Sequence, residues 1–340
     1  MRPCQYFAVA ATLARVTIVK RCPNLSESRW MPLMRKLTRR RFLKEVLLPA
    51  ALGTLPGCAV QSEEPDGGAD APPDITDTNV HLFDWPFRKL KYARTKALVA
   101  KLRKHRIVQA WAGSYEGLLH KNLDGVNARL AEECQANGEK MLLPFGAVNP
   151  ALPDWEEDLR RCQEKYGMPG IRLYPSYHNY TLQKPEVARL LEQARKRGLL
   201  VQLAVRMEDP RVHLPVTRTP AVDVSGLPEL LAALPGIKVQ LLNAFNGTDP
   251  LRGQVGRRLI EQTRVTIDFS HVEGQGGVGK LIAGDRDARR PPLPVERIVF
   301  GSHAPYFPCE SAVFKLFESR LGRPELEKLM RGNAERILKG

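Results

Sequence analysis

From residue 75 onward, short apolar runs alternate with longer amphipathic ones. The short runs are "ITDTNVHL" (75–82), "IVQAWAG" (107–113), "MLLPFGAV" (141–148), "GIRLYP" (170–175), "LLVQLAV" (199–205), "KVQLLNA" (238–244), "VTIDFS" (265–270) and "RIVFGS" (297–302). Their length and β-branched content predict eight strands. Between them, "RTKALVAKLRKH", "NLDGVNARLAEECQAN", "DWEEDLRRCQEKYG", "KPEVARLLEQARKRG", "GLPELLAALPG" and "LRGQVGRRLIEQT" carry the helical period, and Gly198 supplies a C-terminal cap. The pattern lapses over 274–296. There "GQGGVGK" lacks both the P-loop spacing and the Ser/Thr after Lys280, so it reads as a loop, as does "RRPPLP". Eight βα units without a GxGxxG fingerprint predict a (β/α)8 TIM barrel rather than a doubly wound sheet.

Functional side chains of such a barrel gather at the C-terminal ends of the strands. Those ends carry Asn79 and His81, Arg172 and Tyr174, Gln202 to Arg206, Asn243, Asp268 and His271, and finally Ser302 and His303. Polar groups at nearly every end predict a wet, reactive mouth.

The net charge of +15 suggests a nucleic-acid partner until it is mapped. Residues 1–57 hold eleven Lys/Arg against two acids, nine of the fifteen charges, and the later basic residues are scattered among acids. That distribution argues against nucleic-acid binding. Instead, "TRRRFLK" (38–44), a short apolar run and "LPGC" (55–58) resemble a twin-arginine signal ending in a lipobox. The apolar run is shorter than the roughly 20 residues a membrane span needs. The expected organisation is a candidate mis-assigned start at 1–33, a twin-arginine lipoprotein signal peptide at 34–58 with Cys58 lipidated, a flexible tether at 59–74, and the barrel at 75–340. This implies the twin-arginine translocase as a partner and a lipid anchor to a bacterial membrane, on the periplasmic side or the cell surface. Cys134, Cys162 and Cys309 have no zinc-finger or CxxC spacing and read as buried free thiols, with a disulfide pair left open.

"DTNVHLFDW", "GIRLYPSY", "FGSHAPY" and the closing "RGNAERIL", in that order, resemble the amidohydrolase-related family, the branch of metal-dependent hydrolases that includes decarboxylases and lactonases. The resemblance covers roughly residues 75–338. It implies two histidines on strand one, one each on strands five and six, and a metal-binding aspartate on strand eight that takes a proton from the attacking water. His81 matches the second histidine of the pair, whereas Asn79 replaces the first. Arg206 lies near the strand-five position, Asn243 holds the strand-six position and His303 stands in place of the aspartate.

A metal site rebuilt here would use His81, His303 and Asp268 or His271 to hold one divalent ion, Zn²⁺ foremost. Without metal, His303 is the candidate general base, with Asp268 as the other catalytic candidate. Asn79, Arg172, Tyr174, Arg206 and Asn243 are candidate substrate-binding groups, the arginines clamping an anion. Blander roles compete: Arg206 pairing with Glu208 or Asp209, Asp268 bonding the backbone, and Trp85 and Phe87 forming a packed loop. The expected function is exported hydrolysis of a C–N, C–O or lactone bond in a small anionic molecule. A non-catalytic ligand-binding barrel and a metal-dependent decarboxylase are the alternatives.

Overall fold

The computed structural model describes residues 72–215, 218–245, 249–286 and 289–339. The signal sequence, Cys58 and nearly all of the tether lie outside them. Eight parallel strands pair in chain order: β1 (Ile75–Leu82), β2 (Ile107–Ser114), β3 (Leu142–Ala147), β4 (Gly170–Leu173), β5 (Leu200–Ala204), β6 (Lys238–Leu242), β7 (Thr266–Asp268) and β8 (Ile298–Val299). The barrel closes where Thr78 N donates to Phe300 O at 2.8 Å and His81 N to Ala304 O at 2.9 Å.

A helix follows each strand: α1 (Thr95–Arg103), α2 (Leu123–Asn137), α3 (Trp155–Glu164), α4 (Pro185–Lys196), α5 (Leu227–Ala232), α6 (Gly253–Gln262), α7 (Gly277–Ala283) and α8 (Cys309–Phe317). Each turns an apolar stripe toward the sheet, such as Val187, Leu190, Leu191 and Ala194 of α4. No helix among the described residues is long and apolar enough to cross a membrane. Helix α7 corrects the expected loop at 274–296. Its glycines hid it, yet they are what let it dock, because a Cβ on Gly279 would lie 2.8 Å from Ser319 O. The three cysteines of the body are free and buried, as expected.

Register sets the depth of the interior. Ala147 pairs with Arg172, Arg172 with Gln202, Gln202 with Gln240 and Gln240 with Thr266, so one barrel layer is polar. Gln202 Nε2 donates to Gln240 Oε1 at 2.9 Å and to Thr78 O at 2.8 Å, and Gln240 Nε2 donates to Thr78 Oγ1 at 2.6 Å. Arg172 crosses this layer fully buried. It passes over Gly113 of β2, where a Cβ would lie 2.6 Å from Arg172 Nη1; only glycine leaves the guanidinium its path.

Candidate active site

Arg172 anchors the floor of the mouth. Its Nε donates to Gln202 Oε1 at 2.6 Å, Nη2 to Trp111 O at 2.7 Å and Thr78 O at 3.4 Å, and Nη1 to Val80 O at 2.8 Å, with His81 Nε2 3.1 Å away. The expected anion clamp is therefore not available from this residue, because its donors are committed to the barrel interior. It fixes His81 instead. A guanidinium has no lone pair to offer, so His81 Nε2 accepts and the ring proton resides on Nδ1. The ring stacks on Tyr115, centroids 4.7 Å apart and 8° from parallel.

His303 has the opposite tautomer. Its Nε2 donates to Met207 O at 2.9 Å, which leaves Nδ1 as the acceptor. The residue sits at φ 58°, in the left-handed region where non-glycine residues are uncommon, as does Asn243 at φ 56°. Strain at two strand ends marks positions held by their surroundings. The His81 and His303 rings are 5.3 Å apart and perpendicular, and His271 lies 5.4 Å from His303. The Nδ1 atoms of His81 and His303 and both ring nitrogens of His271 are buried without a protein partner.

Burial is the main force on all three imidazoles. It holds His81 and His271 well below the ordinary histidine range and pushes His303 down to about 3; the Arg172 charge adds to the effect at His81 and His303. All three are neutral at pH 7.

Where the resemblance implies metal ligands, a hydrogen-bonded amide cluster has formed. Asp268 accepts from Asn79 Nδ2 at 2.9 Å, Asn243 N at 3.2 Å, Ser270 N at 2.9 Å and Ser270 Oγ at 2.6 Å. Asn79 Nδ2 also donates to Asn243 Oδ1 at 2.7 Å, and Asn243 Nδ2 to Arg206 O at 2.8 Å. Asp268 thus organises its neighbours, and carries no free lone-pair pair toward the mouth as a catalytic or metal-binding carboxylate would. Burial raises its pKa despite these donors. Asp77, beneath it, accepts from Ser302 N and Asn79 N, and burial pushes it up to about 7.

The expected metal set does not assemble. Among the described residues, no three ligand atoms of His, Cys, Asp or Glu converge at the mouth; the group that does converge is His105, Cys309 and Glu310, outside it. A divalent ion on His81 Nε2 would meet the Arg172 guanidinium, and Asn243 Oδ1 is already taken by Asn79 Nδ2, leaving Asn79 Oδ1 alone without a partner. These residues do not fit a mononuclear metal centre, and no step below passes through one.

The rim also departs from expectation. The mouth is enclosed rather than open: Asn79, His81, Asn243, Asp268 and His303 are fully buried. Trp85 covers it, 5.0 Å from Tyr115 and 5.4 Å from Tyr306, while Phe87 is half-exposed. Tyr174 keeps its expected place, 6.5 Å from His81, its hydroxyl beside the Arg172 guanidinium. Arg206 feels the charge of Asp209, which Arg211 also binds, whereas Glu208 is reached by Arg88 at 3.3 Å. Arg206 Nε has no partner, so it remains available to an anion. Beside β7, a cleft of about 700 Å³ is lined by His271, Lys315, Arg211 and Phe307, which places His271 between the cleft and His303.

Tyr115, Tyr306 and Glu208 complete the mouth and were not singled out as site residues from sequence. Glu208 is buried with its pKa raised by burial, a signal visible only in three dimensions.

The amidohydrolase family model matches residues 76–340. Similar solved structures include a 5-carboxyvanillate decarboxylase from Sphingomonas paucimobilis (13% identity, 78% of this chain and 99% of that one, TM-score 0.56). A 2,6-dihydroxybenzoate decarboxylase from Rhizobium has 17% identity over 77% and 99%, with TM-score 0.53. A manganese-bound 5-carboxyvanillate decarboxylase from Novosphingobium aromaticivorans has 12% identity over 78% and 97%, with TM-score 0.53. No curated protein matches the chain. With the matched segment spanning the whole barrel, the chain belongs to the amidohydrolase family.

Proposed function

We propose that the chain hydrolyses a carbonyl-type bond of a small anionic molecule without a metal ion at the barrel mouth. The observation that carries this reading is two unpartnered nitrogens on perpendicular rings 5.3 Å apart: His303 Nδ1 with a free lone pair and His81 Nδ1 with a free proton. His303 Nδ1 takes a proton from water as the oxygen attacks the carbonyl carbon. The His81 Nδ1 proton and the Tyr174 hydroxyl donate to the carbonyl oxygen as it gains charge. The imidazolium of His303 then returns its proton to the departing oxygen or nitrogen. Arg206, at the rim, binds the substrate's anionic group. Arg172 keeps His81 in the donor tautomer, and its charge lies close enough to favour a developing oxyanion.

The test is a panel of small carboxylate-bearing lactones, esters and amides with the purified full chain. His303→Asn is the informative variant, since Asn tolerates the left-handed backbone at 303. We expect hydrolysis that survives exhaustive chelation and falls by about 100-fold or more in His303→Asn, the usual range for a lost general base. Activity abolished by chelator and restored by Mn²⁺ or Zn²⁺ would overturn this mechanism. Saturable binding without turnover would make the protein a ligand-binding barrel.

We also propose that this chemistry takes place outside the cytoplasm on a lipid anchor. The support is the "TRRRFLK" motif followed by "LPGC". Cys58→Ser should then leave the protein unlipidated and free of the membrane fraction. Equal membrane association of the variant would refute the anchor.

A further inference from the structure

We propose a site for a thiophilic divalent ion, Zn²⁺ or a close mimic, formed by His105, Cys309 and Glu310 on the outside of the barrel, apart from the mouth. His105 follows α1, and Cys309 and Glu310 open α8, so the site spans the seam between the first and last βα units.

The geometry carries the assignment. One ligand atom from each residue falls within 4.8 Å of the other two. His105 Nε2 lies 3.3 Å from Glu310 Oε1, and Cys309 Sγ lies 3.5 Å from Glu310 Oε2. Tetrahedral Zn²⁺ bonded to N, O and S at about 2.0–2.3 Å holds such donors about 3.3–3.6 Å apart. Each separation fits that geometry but ends on a different oxygen of Glu310, so a small rotation of the carboxylate brings one oxygen to both partners. Imidazole, thiolate and carboxylate are the donor types that Zn²⁺ takes, and the three residues come from two segments, as a cross-link requires.

The site is also open on one side. Cys309 is buried, whereas the His105 and Glu310 side chains are about a quarter exposed, leaving an entry path and a fourth position for water. Lys101 now binds Glu310 and supplies the positive charge that the carboxylate needs. It must leave for a metal to enter, and it has somewhere to go: its ammonium already lies 5.6 Å from the centroid of the Tyr92 ring. Binding exchanges one cation for another: the thiol proton departs to the solvent, an S–metal bond forms, and one proton is released per ion.

The test uses Co²⁺ alone with the full-length reduced chain. We expect one equivalent to produce a thiolate-to-cobalt charge-transfer band with tetrahedral ligand-field absorption, displaced by Zn²⁺. Cys309→Ser should abolish the band, and His105→Ala and Glu310→Gln should each weaken binding about 10-fold or more, the low end for a lost ligand or its support. Lys101→Met removes the competing cation from a partly buried position and should tighten binding. In the same samples Zn²⁺ should raise the melting temperature of the parent chain and not that of Cys309→Ser. No sulfur band at saturating cobalt in both the parent chain and Lys101→Met would overturn the proposal. So would a band that survives Cys309→Ser, which would place the thiolate elsewhere.

Discussion

Replacing Arg172 by lysine should destabilise the folded chain by at least about 3 kcal/mol, and Arg172→Met should cost about as much. The guanidinium is buried with no carboxylate in contact, so its removal relieves a desolvation cost. Against that relief stand the carbonyls of Val80 and Trp111, together with Gln202 Oε1, which accept from it, while Thr78 O keeps Gln202 Nε2 as a donor. Each buried acceptor left without a donor costs about 1–3 kcal/mol. The acceptors outnumber the relieved charge, and the net effect is a loss. Lysine retains the buried charge but is shorter and lacks the planar fork, so it inherits the desolvation and satisfies few of the acceptors. Denaturant midpoints at constant m-value would measure both variants. A lysine variant within about 1 kcal/mol of the parent would show that water or rearranged side chains can satisfy this layer, and that Arg172 does not define the mouth.

Arg172 also shows where the sequence was readable and where it was not. Alternation along "GIRLYP" puts residue 172 on one face of a strand, and β1 lies where its apolar run predicts, at Ile75–Leu82. Local period therefore located the strands and the residues at their ends. Depth did not follow from it. Arg172 lies below the mouth because Gly113, on a different strand, leaves it room, and because Gln202 and Gln240 share its layer. These are facts of register between strands distant in sequence. The same holds at the rim: Glu208 and Asp209 neighbour Arg206 in sequence, yet Arg88 reaches Glu208 and Arg211 shares Asp209 with it. The glycines of α7 misled for the opposite reason. Their low helix propensity is overridden by a close contact with the C-terminal segment. Asn79 and Asn243 were readable as lost ligands, but their bond to one another depends on the closed barrel.

Acid should unfold the chain through the same mouth. His81, His271 and His303 are held neutral in the fold, their pKa values lying below the ordinary value of about 6.5. The unfolded chain takes up these protons as the pH falls below 6.5, whereas the folded chain does not until far lower, near 3 for His303. Their stabilising contribution is therefore complete above pH 6.5 and is lost as the pH drops. Between pH 7 and 5 His303 forfeits about 2 kcal/mol, and His81 and His271 lose stability in the same direction. Asp77 works in the opposite sense. Its pKa is raised to about 7, so the fold keeps a proton that the unfolded chain gives up above about 4. The resulting penalty is full above pH 7 and recedes on acidification, returning about 2 kcal/mol by pH 5, and Asp268 acts in the same direction. The parent chain should consequently lose a few kcal/mol over this interval, and Asp77→Asn, which cannot titrate, should lose about 2 kcal/mol more. Parallel pH series of unfolding free energies for the two proteins measure the difference directly. Identical slopes would mean that Asp77 ionises normally in the fold. A parent chain with no loss at all would mean that the three imidazoles take up protons in the fold as readily as in the unfolded chain, and that burial does not hold them neutral.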